Sequence, residues 1–133
     1  MSTIFSKIVS GEIPCYKIAE TDDFLAFLDV RPLAKGHTLV IPKLEVDYIF
    51  DMNDESFVGL HIFAKWVAKA IKEAIPCTKI GVAVIGLEVP HAHIHLVPMN
   101  AIGDLNFEKE RLQFSNEEYI EIAKKIQEAF HKL

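Results

Sequence analysis

The stretch Pro90-His91-Ala92-His93-Ile94-His95-Leu96-Val97-Pro98 decides how this chain is read. In extended backbone successive side chains point to opposite faces, so His91, His93 and His95 share one face and Ala92, Ile94 and Leu96 the other. One face packs and the other carries chemistry. Imidazole titrates nearest neutrality, so three rings in a row can supply a nucleophile, a proton carrier and donors to an anion. Three polar rings on one strand face are costly to bury without use, which ranks a purely structural role last. A metal site would take two or three imidazoles with a carboxylate or thiolate, and His37, His61 and Glu88 are the further candidates. On spacing alone, metal binding and phosphoryl chemistry stand level.

Such a strand needs partners, and turn residues delimit them. Strands are expected around Tyr16 to Ala19, from Phe24 to Asp29 and from His37 to Ile41, the last two separated by the loop Arg31-Pro32-Leu33-Ala34-Lys35-Gly36. The Val-rich run Lys79 to Ile85 reads as a central strand, joined to His91–Val97 through Gly86-Leu87-Glu88-Val89-Pro90. The expected product is a meandering antiparallel sheet of about five strands. Ile4, Phe5, Ile8 and Val9 recur at helical spacing before Ser10-Gly11, which predicts a short opening helix or turn. Asn53 can cap a long helix whose inward stripe is Phe57, Leu60, Ala64, Val67, Ala68, Ile71 and Ile75, ended by Pro76. A second apolar stripe, Gly59, Phe63, Trp66 and Ala70, exceeds what a solvated face requires and predicts a subunit interface, hence a homodimer. Ser115 with Glu118 forms a capping-box pattern, and Tyr119, Ile122, Ala123, Ile126 and Phe130 mark a C-terminal helix. The fold class is α+β.

Bulk properties bound the function. At 133 residues, with 50% hydrophobic and 25% charged composition, the chain is expected to form one domain spanning residues 1–133. Its longest apolar stretches, such as Ile80 to Leu87, fall well short of the roughly 20 residues a bilayer requires. The opening residues lack a charged-then-apolar leader layout, so a cytoplasmic protein without membrane partners is expected. With 14 basic against 19 acidic residues, a net charge of -5 and no Lys/Arg run interleaved with aromatics, a nucleic-acid partner is disfavoured. Cys15 and Cys77 form no C-x-x-C pair and suggest reduced thiols rather than a disulfide framework.

The run His91-Ala-His93-Ile-His95-Leu-Val resembles the histidine triad signature, His-x-His-x-His followed by hydrophobic residues. Thr3-Ile4-Phe5-Ser6-Lys7-Ile8-Val9, Gly11-Glu12-Ile13-Pro14, Phe24-Leu25-Ala26-Phe27-Leu28-Asp29-Val30 and His37-Thr38-Leu39-Val40-Ile41-Pro42-Lys43 are similar, in the same order, to the nucleoside-phosphoramidase branch of that family. The resemblance implies a HIT-like fold and a hydrolase or transferase acting at the α-phosphate of a purine nucleotide derivative, a phosphoramidate or a dinucleotide polyphosphate. It implies that His93 attacks phosphorus to form a covalent nucleotidyl-histidine, that His95 donates to the phosphate oxygens, and that His91 and His37 complete the cluster. It further implies that Asp29 accepts from the ribose hydroxyls and that Ile4, Phe5, Ile8, Phe27, Leu28 and Val30 enclose the base. Glu88 and Val89, in the loop before the triad, are expected beside the nucleotide.

Two departures from the pattern carry weight. Relatives often hold a structural zinc through an early Cys-x-x-Cys, where this chain has Thr3 and Ser6, so no metal and no other cofactor is expected. Relatives also place an asparagine and a Gly-Gln-Ser or Gly-Gln-Thr segment ahead of the triad, whereas here the strand reads Val82-Ala83-Val84-Ile85 and the loop is only Gly86 to Pro90. Losing one donor aimed at developing charge costs roughly 2.7 to 4 kcal/mol unless another group substitutes. A nucleotide-binding module with little catalysis is therefore the alternative function, ahead of a metalloenzyme using the three histidines.

Overall fold

The computed structural model describes residues 2–133. Five strands form one antiparallel sheet: β1 (Lys17–Glu20), β2 (Phe24–Leu28), β3 (Thr38–Pro42), β4 (Lys79–Ala83) and β5 (Ile94–Met99), in the order β1-β2-β3-β5-β4. Three α-helices accompany it: α1 (Ile4–Ser10), α2 (Asp54–Ala74) and α3 (Asn116–His131). The α+β class and the hairpins β1–β2 and β2–β3 follow the sequence reading, but the sheet is not a sequential meander. β5 inserts between β3 and β4, because α2 carries the chain across the sheet before β4 begins.

This order corrects the placement of β4. The run from Lys79 forms the outer edge, with Val82 59% exposed, and it ends at Ala83. The interior position goes to β5, whose residues Ile94 to Pro98 are all buried. Valine content alone does not distinguish edge from centre, whereas β5, buried throughout from Ile94 to Pro98 with His95 included, is a strand packed on both faces. β5 also starts at Ile94, so His91 and His93 lie in the segment entering the strand. The facing rule still holds, for Ala92, Ile94 and Leu96 join the core under the helices.

The sheet separates two apolar layers. Ala26, Leu28, Val40, Ile94 and Leu96 face α2 and α3, forming the larger core with Leu60, Val67, Ile71, Ile122 and Ile126. Leu25, Phe27, Leu39 and Ile41 face the other way and meet Phe5 of α1. Burying each large side chain completely contributes about 1.5–3 kcal/mol.

Local signals set the helix boundaries. The Asn53 side chain accepts from Ser56 N–H at 2.8 Å, and α2 stops before Pro76. At α3, Ser115 Oγ accepts from Glu118 N–H at 3.1 Å while Glu118 accepts from Ser115 N–H at 2.8 Å, the predicted capping box. Gly11 ends α1 at φ 87°, a left-handed conformation that glycine adopts without penalty.

The second stripe of α2 is not a free face. Phe63 and Ala70 are buried, with Phe63 stacked on Phe24 at 5.9 Å and edge-on to Phe130 of α3 at 6.3 Å. A Cβ at Gly59 would meet the Phe24 ring at 3.0 Å. The chain's own α3 and β2 cover the stripe, and only Trp66 remains at the surface, beneath Lys69.

Candidate active site

Register builds the site. Phe27 pairs with Leu39, and Leu39 with His95, so one rung of the sheet runs from β2 through β3 to β5. Alternation then places Asp29, two residues past Phe27, and His37, two before Leu39, on this same face. Asp29 N–H donates to the His37 carbonyl at 3.0 Å, which holds the two loop ends together.

Each histidine has a tautomer dictated by its partners. Leu33 N–H donates to His37 Nδ1 at 2.9 Å, so in the neutral ring the proton sits on Nε2 and is donated to His95 Nδ1 at 3.0 Å. His95 Nδ1 is thereby an acceptor, and its Nε2–H is left as a donor. His93 donates Nδ1–H to the His91 carbonyl at 2.8 Å, leaving the Nε2 lone pair free. His91 donates Nε2–H to the Pro42 carbonyl at 2.8 Å and accepts the Thr3 hydroxyl proton on Nδ1 at 2.9 Å. A nucleophilic lone pair and a donor thus stand on adjacent rings, whose centroids are 4.8 Å apart.

Burial favours the neutral forms of His37, His91 and His95. His37 is fully buried, which lowers its pKa to about 3, with the His95 and Arg111 charges acting in the same direction. Burial likewise lowers His95 to about 4 and depresses His91. Asp29 Oδ2 lies 3.5 Å from His37 Nε2, but with His37 neutral this is a polar contact rather than an ion pair. Burial raises the Asp29 pKa, against the Arg31 N–H bond to its Oδ1 and the Arg111 charge.

A cleft of about 550 Å³ opens on this face. Ile4, Phe5, Ile8, Phe27, Leu28, Asp29, Val30, Glu88, Val89, His93 and His95 all line it, so the structure brings these candidates together around one cleft. His91 and His37 stand behind the wall and orient the rings that reach it. Phe5 wedges between the apolar wall and the triad, edge-on to Phe27 at 5.7 Å and to His93 at 5.0 Å.

The cleft also has lining residues that sequence reasoning missed, notably Ile13, Pro14, Cys15, Arg31, Leu39, Phe107 and Arg111. Alternation from Phe27 and His95 would have found Leu39. Phe107 and Arg111 belong to no periodic segment, and they arrive because the chain after β5 folds back: Leu112 N–H donates to the Pro32 carbonyl at 2.9 Å, and Phe107 packs edge-on against His95 at 4.7 Å.

Of the additional metal-ligand candidates, His61 lies on α2 with its ring 4.4 Å from that of Phe57, and Glu88 is on the exposed loop. Asp29, His37 and His95 are the one group among the described residues with ligand atoms within 4.8 Å of one another. The tautomer argues against a metal there. His37 Nε2, the atom that would ligate, must carry the proton while Leu33 N–H occupies Nδ1. At the other end of the triad, Glu45 Oε1 accepts from Thr3 N–H at 3.0 Å and from Ser6 Oγ at 2.6 Å, so Thr3, Ser6, Glu45 and His91 satisfy one another.

Residues 10–102 match the model of the HIT domain. The chain belongs to the HIT family. It is 43% identical over 99 residues to an adenosine 5'-monophosphoramidase of Schizosaccharomyces pombe, covering 74% of each chain. A crystal structure of a Hit-like protein from Bartonella henselae superposes with a TM-score of 0.84 at 32% identity, covering 96% of both chains. A zinc-bound histidine triad family protein from Mycobacterium smegmatis superposes at 0.82 with 30% identity, covering 99% of this chain and 95% of that one. The HIT fold therefore holds for the sheet and for the helices on both of its faces, and the matched segment contains His91, His93 and His95.

Proposed function

We propose that this HIT protein is a nucleotide hydrolase or transferase that cleaves at the α-phosphate of a purine nucleotide derivative through a covalent intermediate on His93. The observation that carries the reading is the pair of oriented rings: a free Nε2 lone pair on His93 beside a donor on His95, at the end of an apolar cleft. The relative named as an adenosine 5'-monophosphoramidase supports the same chemistry. A purine lies against Ile4, Phe5, Ile8, Phe27, Val30 and Val89, where its two rings bury more apolar surface than one would, whereas the Leu28 side chain packs into the core under the helices. Asp29 accepts from the ribose hydroxyls, and Glu88 flanks the leaving group. His93 Nε2 attacks phosphorus, the bond to the leaving amine or phosphate breaks, and His95 Nε2–H donates to the oxygens where charge accumulates. Water then cleaves the P–N bond to His93, releasing the nucleoside monophosphate and the free ring. A phosphoramidate and a dinucleotide polyphosphate both fit this scheme.

Hydrolysis of adenosine 5'-phosphoramidate by the wild type and by His93→Ala tests it. We expect a loss of roughly a thousandfold or more in the variant, and undiminished hydrolysis overturns the covalent route. The exposed, short loop from Gly86 to Pro90 favours a second reading, a binding module with little turnover. Tight binding of AMP in calorimetry with no wild-type turnover supports that reading instead. The reduced thiols of Cys15 and Cys77 suit a cytoplasmic setting.

We further propose a homodimer, on a face other than the one expected from sequence. The outer edge of β4 is unpaired, Val82 is exposed on that strand, and Val84, Ile85 and Leu87 lie exposed in one cleft with Tyr48 and Phe50. A second copy covers this edge and apolar surface together.

A further inference from the structure

Four charged residues line the cleft: Asp29, Glu88, Arg31 and Arg111. Of the two imidazoles that line the cleft, burial keeps His95 neutral and His93 offers its Nε2 lone pair, so neither supplies lasting positive charge to a phosphate. A nucleotide phosphate brought beside Asp29 and Glu88 adds negative charge to a site already carrying two carboxylates. An arginine is the group suited to balance it, being charged at all relevant pH and offering five donors in a planar fork.

Arg111 is built for the part and Arg31 is not. The Arg31 side chain is exposed, whereas Arg111 is half-buried and fixed. One guanidinium nitrogen donates to the Arg31 carbonyl at 2.6 Å and another to the Phe107 carbonyl at 3.4 Å, and the group lies over the Phe107 ring, 5.5 Å from its centroid. Those two bonds use two of the five N–H donors. Among the described residues no acceptor takes the other three. Phe107 in turn packs on the His95 ring, so the guanidinium and the donor ring are parts of one packed unit.

We propose that Arg111 is the anion-binding residue of this cleft, which selects substrates carrying a charged phosphate beside His95 and takes over stabilisation from the donors absent in the short loop. This rests on the nucleotide reading above and sharpens it to anionic phosphates. Arg111 acts on affinity for the phosphate and not on the nucleoside.

Calorimetry with AMP and with adenosine, on the wild type, Arg111→Gln and Arg111→Lys, tests the assignment. The wild type binds AMP more tightly than adenosine. Arg111→Gln weakens AMP by about tenfold or more while leaving adenosine unchanged, and Arg111→Lys recovers part of the loss. Equal losses for both ligands mean a structural role and overturn the proposal, as does an unchanged AMP affinity, with the nucleotide reading intact in either case. A wild type that binds neither ligand removes the nucleotide reading itself, and the proposal with it.

Discussion

At the residue scale, the site is a set of proton positions. The alternation of His91, His93 and His95 was legible in the sequence, and so was the separation of Ala92, Ile94 and Leu96 into the core. The tautomers were not, because each depends on a group brought from elsewhere: Leu33 N–H for His37, His37 for His95, and the Pro42 carbonyl with Thr3 for His91. These pairings also fix a pH response. His37 and His95 bind protons less readily folded than unfolded, with values of about 3 and about 4 against an ordinary 6.5. Between those limits the unfolded chain takes up more protons, so stability is present above pH 6.5 and falls as pH drops below it. Asp29, with its raised pKa, works in the opposite direction but is one group against three histidines, since His91 is depressed as well. Thermal melts should show the melting temperature falling from pH 7 to pH 5, with a shallower slope in His37→Gln. An equal slope in the variant contradicts the buried neutral ring.

At the scale of elements, α1 is the part whose role exceeds its size. Seven residues make a helix that would not persist alone in water. It stands because Thr3 Oγ1 accepts from Ser6 N–H at 3.0 Å and Phe5 is buried, and the same hydroxyl donates to His91. The helix cap and the histidine cluster therefore share one oxygen. Thr3→Val keeps the side-chain shape and removes that oxygen; it should cost about 1 kcal/mol of stability and lower turnover, and Thr3→Ser should restore both. Full activity in Thr3→Val would show that His91 needs no such support. The helices were predicted from period and caps, and the structure keeps their positions. Period did not reveal what covers each face: the stripe through Phe63 and Ala70 meets α3 and Phe24, which lie far away in sequence. The exchange of β4 and β5 has the same origin, since strand order depends on the α2 crossover and not on strand composition.

At the scale of the whole molecule, two clefts share one wall. Ile85, Gly86 and Leu87 line both the triad cleft and a second one of about 710 Å³ that includes Tyr48, Phe50, Phe57 and His61. A partner seated over β4 would press on the loop beside the triad, which links assembly to activity. Sedimentation should give a dimer at micromolar concentration and a monomer for Val82→Glu, the variant also losing turnover; a monomeric wild type contradicts the proposed interface. The proposed chemistry turns on nucleotidylation of His93. Mass spectrometry of the protein quenched during turnover of adenosine 5'-phosphoramidate tests it most directly. The expected result is an added adenylyl group on the peptide bearing His93, absent from His93→Ala. Rapid turnover with that peptide unmodified, or with the group on another residue, would contradict it.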